Sequence, residues 1–198
     1  KRDTLETQLN VLAIFDPKIP KNFINPDILV LGNLDPNVQL SVVSQFEKKP
    51  KFIMLDTMNF WMDNSLESLK EVIKKVDLIC INDEEVIQLS GCNNLDEGVK
   101  TILEMGPKYI IMKRGEYGAS VYSYSNKFDC KSFPVDNVID PTGAGDSFAG
   151  SFAGYLAKSK NYDFNSISNA LIYANAIASF SVEKFGVENM LDLKKNEI

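Results

Sequence analysis

The 198-residue sequence contains no histidine, and this absence restricts both its acid–base chemistry and its metal chemistry. Any general base must be a carboxylate or, less often, a lysine, tyrosine or cysteine. Histidine-ligated metal sites are excluded. The three cysteines, Cys80, Cys92 and Cys130, show no paired spacing, which indicates free thiols in a reducing compartment. We therefore expect a cytoplasmic protein.

Excess positive charge and long apolar runs are also missing. The chain has 21 basic against 27 acidic residues, and this balance argues against nucleic-acid binding, which needs clustered positive charge. No apolar run approaches the roughly 18 residues that can span a membrane. The opening residues, KRDTLETQLN, do not resemble a signal peptide. We expect neither a nucleic-acid nor a membrane partner, and an anionic ligand would need a local positive site.

Apolar and amphipathic segments alternate along the first half of the chain. Buried strands are predicted at 27–32, 51–56, 77–82 and 108–113. Helices are predicted at 36–49 and 64–76, from Asp83 onward, and at 95–105. Two more strands, 119–124 and 127–135, follow without a helix, and two helices come last. This order predicts one domain over residues 1–198, a three-layer α/β/α fold whose mainly parallel sheet has an antiparallel edge.

The segment DPTGAGDSFAGSFAGYLA places a glycine-rich turn between two aspartates, directly before a predicted helix. Gly143, Ala144 and Gly145 would let backbone N–H groups point at an anion, and the helix N-terminus adds partial positive charge. Asp146 would lie beside that anion and could accept a proton from an attacking hydroxyl. A simpler interpretation is a tight glycine turn in which Asp146 complements the helix dipole.

Two other glycine motifs do not fit this segment. A Walker loop needs Gly-Lys, and Gly145 is followed by Asp146. The dinucleotide fingerprint needs a Gly or Ala three positions after its second glycine, and Phe148 stands there.

The longer stretch VIDPTGAGDSFAGSFAGYLA closely resembles the C-terminal signature of the ribokinase-like (PfkB) family of carbohydrate kinases. The resemblance implies an ATP- and Mg²⁺-dependent kinase that phosphorylates a hydroxyl of a sugar, a nucleoside or a similar small molecule. It implies that Asp146 is the catalytic base and that the Gly143–Gly145 loop is the anion hole. Asp140 and Thr142 fall where some members bind an activating monovalent cation, such as K⁺.

Asn82 and Glu85, in the segment NDEE, follow the predicted strand 77–82. By themselves they indicate a helix N-cap with a capping-box partner. The family carries an Asn-x-x-Glu element after the matching strand, where it organises Mg²⁺ and phosphate through water. The resemblance implies the same role for these two residues, and capping does not exclude it.

The segment KRGEYGASVY indicates, by itself, a hairpin turn. In the family the corresponding turn lines the nucleotide phosphates and ribose, so the resemblance implies nucleotide contacts at Lys113, Gly115, Glu116 and Gly118. Lys113 departs from the Thr or Ser common at its position, and its charge could help to hold a phosphate.

Four further positions resemble family sites in a less specific way. Asn175 and Ala178, on the last predicted helix, match positions that border the adenine pocket, although a helix face of small residues also suits plain packing. The segment LDTMNFW falls where many relatives have an Asp-x-Asn-x-Arg element, which makes Asp56 and Asn59 candidates near substrate and phosphate. The Arg is absent and the spacing differs, and we interpret Trp61 as a packing residue.

The resemblance begins partway through the family fold. An N-terminal Gly-Gly signature, an early substrate-binding Asp and the strands of a lid are not recognisable, so most of the sugar pocket is expected to be missing. We therefore expect this chain alone to bind nucleotide and to phosphorylate little or no sugar. The acceptor is left open, as is a homodimer of the longer protein. Two alternatives are a nucleotide-binding module without catalysis and a relative of pyridoxal or hydroxymethylpyrimidine kinases.

Overall fold

Six strands form one sheet in the computed structural model, which describes residues 8–191 and residue 193. The strands are β1 (Ile28–Leu31), β2 (Phe52–Asp56), β3 (Leu78–Asn82), β4 (Tyr109–Lys113), β5 (Ala119–Tyr122) and β6 (Lys127–Cys130). They lie side by side in chain order. The first four pair in parallel, and β5 and β6 extend the sheet as an antiparallel edge. The predicted mainly parallel sheet with an antiparallel edge is confirmed.

Helices cover both faces of this sheet. They are α1 (Pro36–Ser44), α2 (Asn59–Asn64), α3 (Leu66–Ile73), α4 (Asp83–Ser90), α5 (Leu95–Glu104), α6 (Ala144–Ser159), α7 (Phe164–Ser181) and the short α8 (Glu188–Leu191). In the part of the chain that the structure describes, no helix is long and apolar enough to cross a membrane.

Two apolar cores result, one on each face of the sheet. In β2, Ile53 and Leu55 point into a core closed by helices that include α3, α4 and α5, whereas Phe52 and Met54 point into a second core closed by α6 and α7. Successive strand residues point to opposite faces, and both faces are covered, so β2 is apolar from Phe52 to Leu55. The predicted three-layer α/β/α fold is therefore confirmed.

Two predicted elements end earlier in the structure than the sequence pattern indicates. The helix predicted over 36–49 stops at Ser44. The next side chain, Gln45, turns back to accept a hydrogen bond from the amide of Ile19 and to donate one to the carbonyl of Pro17. The strand predicted over 127–135 stops at Cys130, and Pro134, which has no N–H to donate, lies in the irregular segment that follows.

The helix predicted over 64–76 begins at Leu66 and ends at Ile73, and Ser65 lies before its first turn. The backbone of Ser65 has φ −146° and ψ 36°, which is not helical, and it separates α2 from α3. No helix is predicted at Asn59–Asn64, where LDTMNFW instead resembles a family motif.

Side chains cap four of the helices at their N-termini. Asp35, Asn82, Asn94 and Asp163 each accept a hydrogen bond from a backbone N–H of the helix that follows. Helix α6 begins differently, because its N-cap is Gly143, which has no side chain.

At the amino-terminal end of the strands, Asp77 joins β2 to the elements beside it. Its buried carboxylate accepts a hydrogen bond from the amide of Ile53 at 3.0 Å. The same carboxylate lies 3.0 Å from the amine of Lys108 and 3.5 Å from that of Lys49. These contacts lie at the end of the sheet opposite to the predicted site.

Candidate functional site

Polar side chains end three neighbouring strands at the carboxyl edge of the sheet. Asp56 ends β2, Asn82 ends β3 and Lys113 ends β4. Asn82 pairs with Lys113 in register, whereas Asp56 pairs with Cys80, two residues before the end of β3. The carboxyl edge of parallel strands is the usual place for ligands in such sheets, so these residues define where a site is expected.

Lys113 and Asp56 form an ion pair across β3. The Lys113 amine lies 3.0 Å from Oδ1 of Asp56, and the two side chains are 26% and 17% exposed. A Cβ atom added to Gly145 would lie 3.9 Å from the same amine. The positive charge of Lys113 is therefore held at the first turn of α6.

The surroundings of Lys113 keep its amine charged. Burial by itself lowers the pKa of Lys113, but the negative charges of Cys80, Asp56 and Glu85 outweigh burial and raise it. Burial raises the pKa of the Cys80 thiol to about 12, so Cys80 is neutral at pH 7. Near neutral pH the contact that stabilises the charged amine is then the ion pair with Asp56 at 3.0 Å.

The start of α6 is an open helix N-terminus. Gly143 adopts the left-handed conformation, with φ 81°, and the preceding turn is closed by Oδ1 of Asp140, which accepts a hydrogen bond from the Thr142 amide at 2.9 Å. Within residues 8–191, the amides of Gly145 and Asp146 have no hydrogen-bond acceptor. First-turn amides carry the positive end of the helix dipole, so this turn favours an anion.

Asn82 and Glu85 form the capping box that NDEE predicts. The Asn82 side chain accepts from the Glu85 amide at 2.8 Å, and Oε2 of Glu85 accepts from the Asn82 amide at 2.8 Å. Glu85 is buried, and this burial raises its pKa, while the Asn82 amide and the charge of Lys113 act in the opposite direction.

A cavity of about 540 Å³ lies among four elements: the β4–β5 turn, the segment after β6, the start of α6 and the end of α7. The turn contributes four predicted residues, Lys113, Gly115, Glu116 and Gly118. The two helices contribute another four, Ala144, Gly145, Asn175 and Ala178. Eight predicted residues from distant parts of the sequence thus share one cavity.

The other predicted residues lie outside the lining of this cavity. They are Asn59, Asp56, Asn82, Glu85, Asp140, Thr142, Gly143 and Asp146. Asp146 is exposed in the first turn of α6, one residue after the lining residue Gly145. No group of three or more His, Cys, Asp or Glu side chains that could hold a metal occurs among the described residues.

Sequence reasoning missed the apolar wall of the cavity. Phe133, Pro134, Val135 and Val138 line it, in the segment that was predicted partly as strand. The proline in SFPV was a signal that could have marked this segment as irregular.

Two side-chain hydrogen bonds hold the residues just before this wall, Lys131 and Ser132, in place. Nδ2 of Asn175 donates to the carbonyl of Lys131 at 2.7 Å, and the Ser132 hydroxyl donates to the carbonyl of Glu116. Asn175 therefore fixes the segment after β6 as well as lining the cavity.

The fold and this cavity are those of an α/β protein whose cleft lies beyond the carboxyl ends of parallel strands, where such sheets commonly bind ligands. The pfkB family carbohydrate kinases match residues 17–194, and the chain belongs to that family. The match covers nearly the whole chain, so it does not bear out the narrower description of the resemblance as the C-terminal portion.

Individual relatives agree with this assignment. The chain is 29% identical over 173 residues to a nucleoside kinase of Methanocaldococcus jannaschii, covering 87% of this chain and 54% of the relative. It is 31% identical over 162 residues to fructokinase-2 of Zea mays, covering 79% and 43%. The chain spans about half the length of the curated relatives it matches.

Solved structures show the same ribokinase-like fold. A crystal structure assigned as ribokinase II from E. coli, in complex with ATP and Mg²⁺, superimposes with a TM-score of 0.67 at 26% identity. The superposition covers 81% of this chain and 53% of that one.

Proposed function

We propose that this protein is an ATP-dependent kinase that transfers the γ-phosphoryl group to a hydroxyl of a sugar or nucleoside. The observation that carries the proposal is the cavity itself, because it joins an apolar wall to an open helix N-terminus beside a lysine. A nucleotide has the same two parts, a flat base and a polyphosphate. The E. coli relative that binds ATP and Mg²⁺ supports the same assignment.

The phosphates would lie at the first turn of α6. The amides of the Gly143–Gly145 loop would donate hydrogen bonds to phosphate oxygens, as an anion hole, and the amine of Lys113 would add a full positive charge. The base would lie towards Phe133 and Val138, with Asn175 and Ala178 on the α7 side.

The carboxyl edge of β3 suits a Mg²⁺ ion that is bound mainly by phosphate and water. Mg²⁺ commonly keeps several waters and uses only one or two carboxylates, so a site without a cluster of three ligands fits it. Glu85 uses Oε2 in the capping box and keeps Oε1 for such a water, next to Asn82. The ion would offset the charge of the phosphates. Asp140 and Thr142 are our candidates for a monovalent cation such as K⁺.

Asp146 is our candidate for the general base. Its side chain is exposed and has no hydrogen-bond or ion-pair partner among the described residues, so it is available to an acceptor hydroxyl. It directly follows Gly145 in the proposed anion hole, so a hydroxyl that contacts Asp146 would also be near the phosphate. We further propose a sugar or a nucleoside as the acceptor, which the names of the relatives support. We also propose a cytoplasmic location, a single domain over 1–198 and, in the longer protein, a homodimer.

Substitution of Asp146 by Asn tests the base. The intact protein should lose about 10²- to 10⁴-fold in phosphoryl-transfer rate, because the amide cannot accept the proton. Its affinity for Mg·ATP, measured by calorimetry, should stay near that of the wild type, because the anion hole is made of backbone.

Asp96→Asn is the matched control. Asp96 is also an exposed aspartate in the first turn of a helix, but α5 covers the opposite face of the sheet. Near-normal turnover in Asp146→Asn would exclude the residue as base. Binding of Mg·ATP without turnover on any sugar, nucleoside or vitamin acceptor would instead favour a nucleotide-binding module.

A further inference from the structure

We propose that Asp56 is a positioning residue that holds the Lys113 amine at the first turn of α6, where it contacts the phosphates of a bound nucleotide. The inference rests on the proposed nucleotide site and assigns a role to a residue that lies outside the cavity lining. Asp56 does not contact the ligand and acts only through the lysine.

The first argument is that the Lys113 amine would not remain at this place unaided. Its amine lies 3.9 Å from the position of a Cβ on Gly145, at the positive end of the α6 dipole. Two positive groups repel each other, and lysine has a flexible stem that could take the amine into solvent. The Asp56 carboxylate, 3.0 Å from the amine, offsets this repulsion and fixes one of its three N–H donors.

The second argument is that Asp56 is itself rigidly placed. It is the last residue of β2, whose preceding residues, Phe52 to Leu55, are buried, and it pairs in register with Cys80 of β3. A carboxylate fixed by the sheet can fix a flexible amine, whereas the reverse does not hold. The other two N–H donors of Lys113 remain free for phosphate oxygens.

The third argument is that the pair is half-enclosed. Both side chains are mostly shielded from solvent, so the attraction is screened less than in a surface pair. Residues that share one ion pair commonly couple strongly enough to change affinity by about fivefold or more. The loss of Asp56 should therefore be visible in nucleotide binding.

The test compares ligands with and without phosphate on four proteins. Affinities for Mg·ADP and for adenosine are measured by calorimetry for the wild type, Asp56→Asn, Lys113→Met and the double variant. We expect Asp56→Asn to weaken Mg·ADP binding about fivefold or more and to leave adenosine binding within about twofold. Asp56→Glu, which keeps the charge, should recover part of the loss.

The sign of the effect in the Lys113→Met background distinguishes positioning from a general charge effect. Without the lysine, Asp56 only repels phosphate, so adding Asp56→Asn should leave Mg·ADP binding unchanged or strengthen it. Asp27→Asn, which removes the partner of Lys51 in another ion pair, is the control and should change neither ligand. Thermal midpoints of all variants report any loss of folding.

Three results would overturn the inference. Stronger or unchanged Mg·ADP binding by Asp56→Asn would show that the carboxylate does not hold the lysine in a productive place. Equal losses for Mg·ADP and adenosine would show a structural role only. If the wild type binds neither ligand, the proposed nucleotide site fails and this inference fails with it.

Discussion

Among the glycines of the β4–β5 turn, Gly118 should tolerate replacement by Ala least, because the added methyl group would displace the cavity wall. Gly118 has φ 90° and ψ −144°, close to a region that only glycine commonly adopts. A Cβ added there would lie 2.1 Å from the carbonyl oxygen of Cys130, 2.6 Å from the Ser132 amide and 2.7 Å from the carbonyl carbon of Lys131. All three atoms belong to the backbone, so the whole segment after β6 would have to move.

The expected cost has two parts. The backbone conformation costs an alanine about 1–3 kcal/mol. Moving the segment also strains the hydrogen bonds from Asn175 to Lys131 and from Ser132 to Glu116, each worth about 1 kcal/mol. We expect the free energy of unfolding to fall by about 3 kcal/mol or more, which lowers Tm by roughly 6–12 °C in a chain of this size.

Gly115→Ala is the matched control in the same turn. Gly115 also has a positive φ, 54°, but a Cβ there meets no atom within 4 Å. Gly115→Ala should lower the free energy of unfolding only by the strain of placing alanine in the left-handed conformation, about 1–2 kcal/mol. Urea unfolding and calorimetric Mg·ADP titration of both variants check the reasoning. Equal stability losses for the two alanines would refute it, as would an unchanged Mg·ADP affinity in Gly118→Ala.

Two further predictions concern buried carboxylates. Asp77→Ala should lower the free energy of unfolding by about 1–3 kcal/mol, because it leaves the buried Ile53 amide without an acceptor. The control is Asp27→Ala, which removes the partner of Lys51 in an exposed ion pair. In urea unfolding, a loss no larger than that of Asp27→Ala would contradict the prediction. The raised pKa of Glu85 means that the folded state binds its proton more tightly, so stability falls as pH rises from about 4.5 through the folded pKa. Glu85→Gln removes this dependence, so its stability should rise relative to the wild type over that pH range, and the Mg²⁺ response of nucleotide binding should weaken. Glu84→Gln, at the exposed neighbour, is the control. An identical pH profile of stability for Glu85→Gln and the wild type would contradict the prediction.

The strands and most helices could be predicted because their burial leaves a local pattern. Residues 52–55 and 78–81 are buried on both faces of the sheet, so they form continuous apolar runs. The capping box at Asn82 and Glu85 is also local, since its two residues are three apart and contact each other directly.

What could not be predicted depends on contacts between distant segments. The ion pair between Lys113 and Asp56 joins residues 57 positions apart, and it follows from the register of β2, β3 and β4. The irregular segment after β6 is held by Asn175, 44 residues away from Lys131. The strand predicted over 127–135 runs too far because no residue near Lys131 in the sequence shows that Asn175 of α7 holds this backbone, and only Pro134 marks the segment as irregular.

The separation between the cavity wall and the sheet has a consequence for how such a protein can diverge. The wall from Phe133 to Val138 contributes no strand pairing, and the two side-chain hydrogen bonds described above hold the residues just before it, Lys131 and Ser132. Substitutions along it can reshape the space offered to a ligand while both apolar cores keep their packing. If the proposed nucleotide site is correct, ligand preference and thermodynamic stability depend on different stretches of the chain, because neither apolar core includes residues 133–138. A laboratory library confined to residues 133–138 should then change ligand preference with little loss of stability.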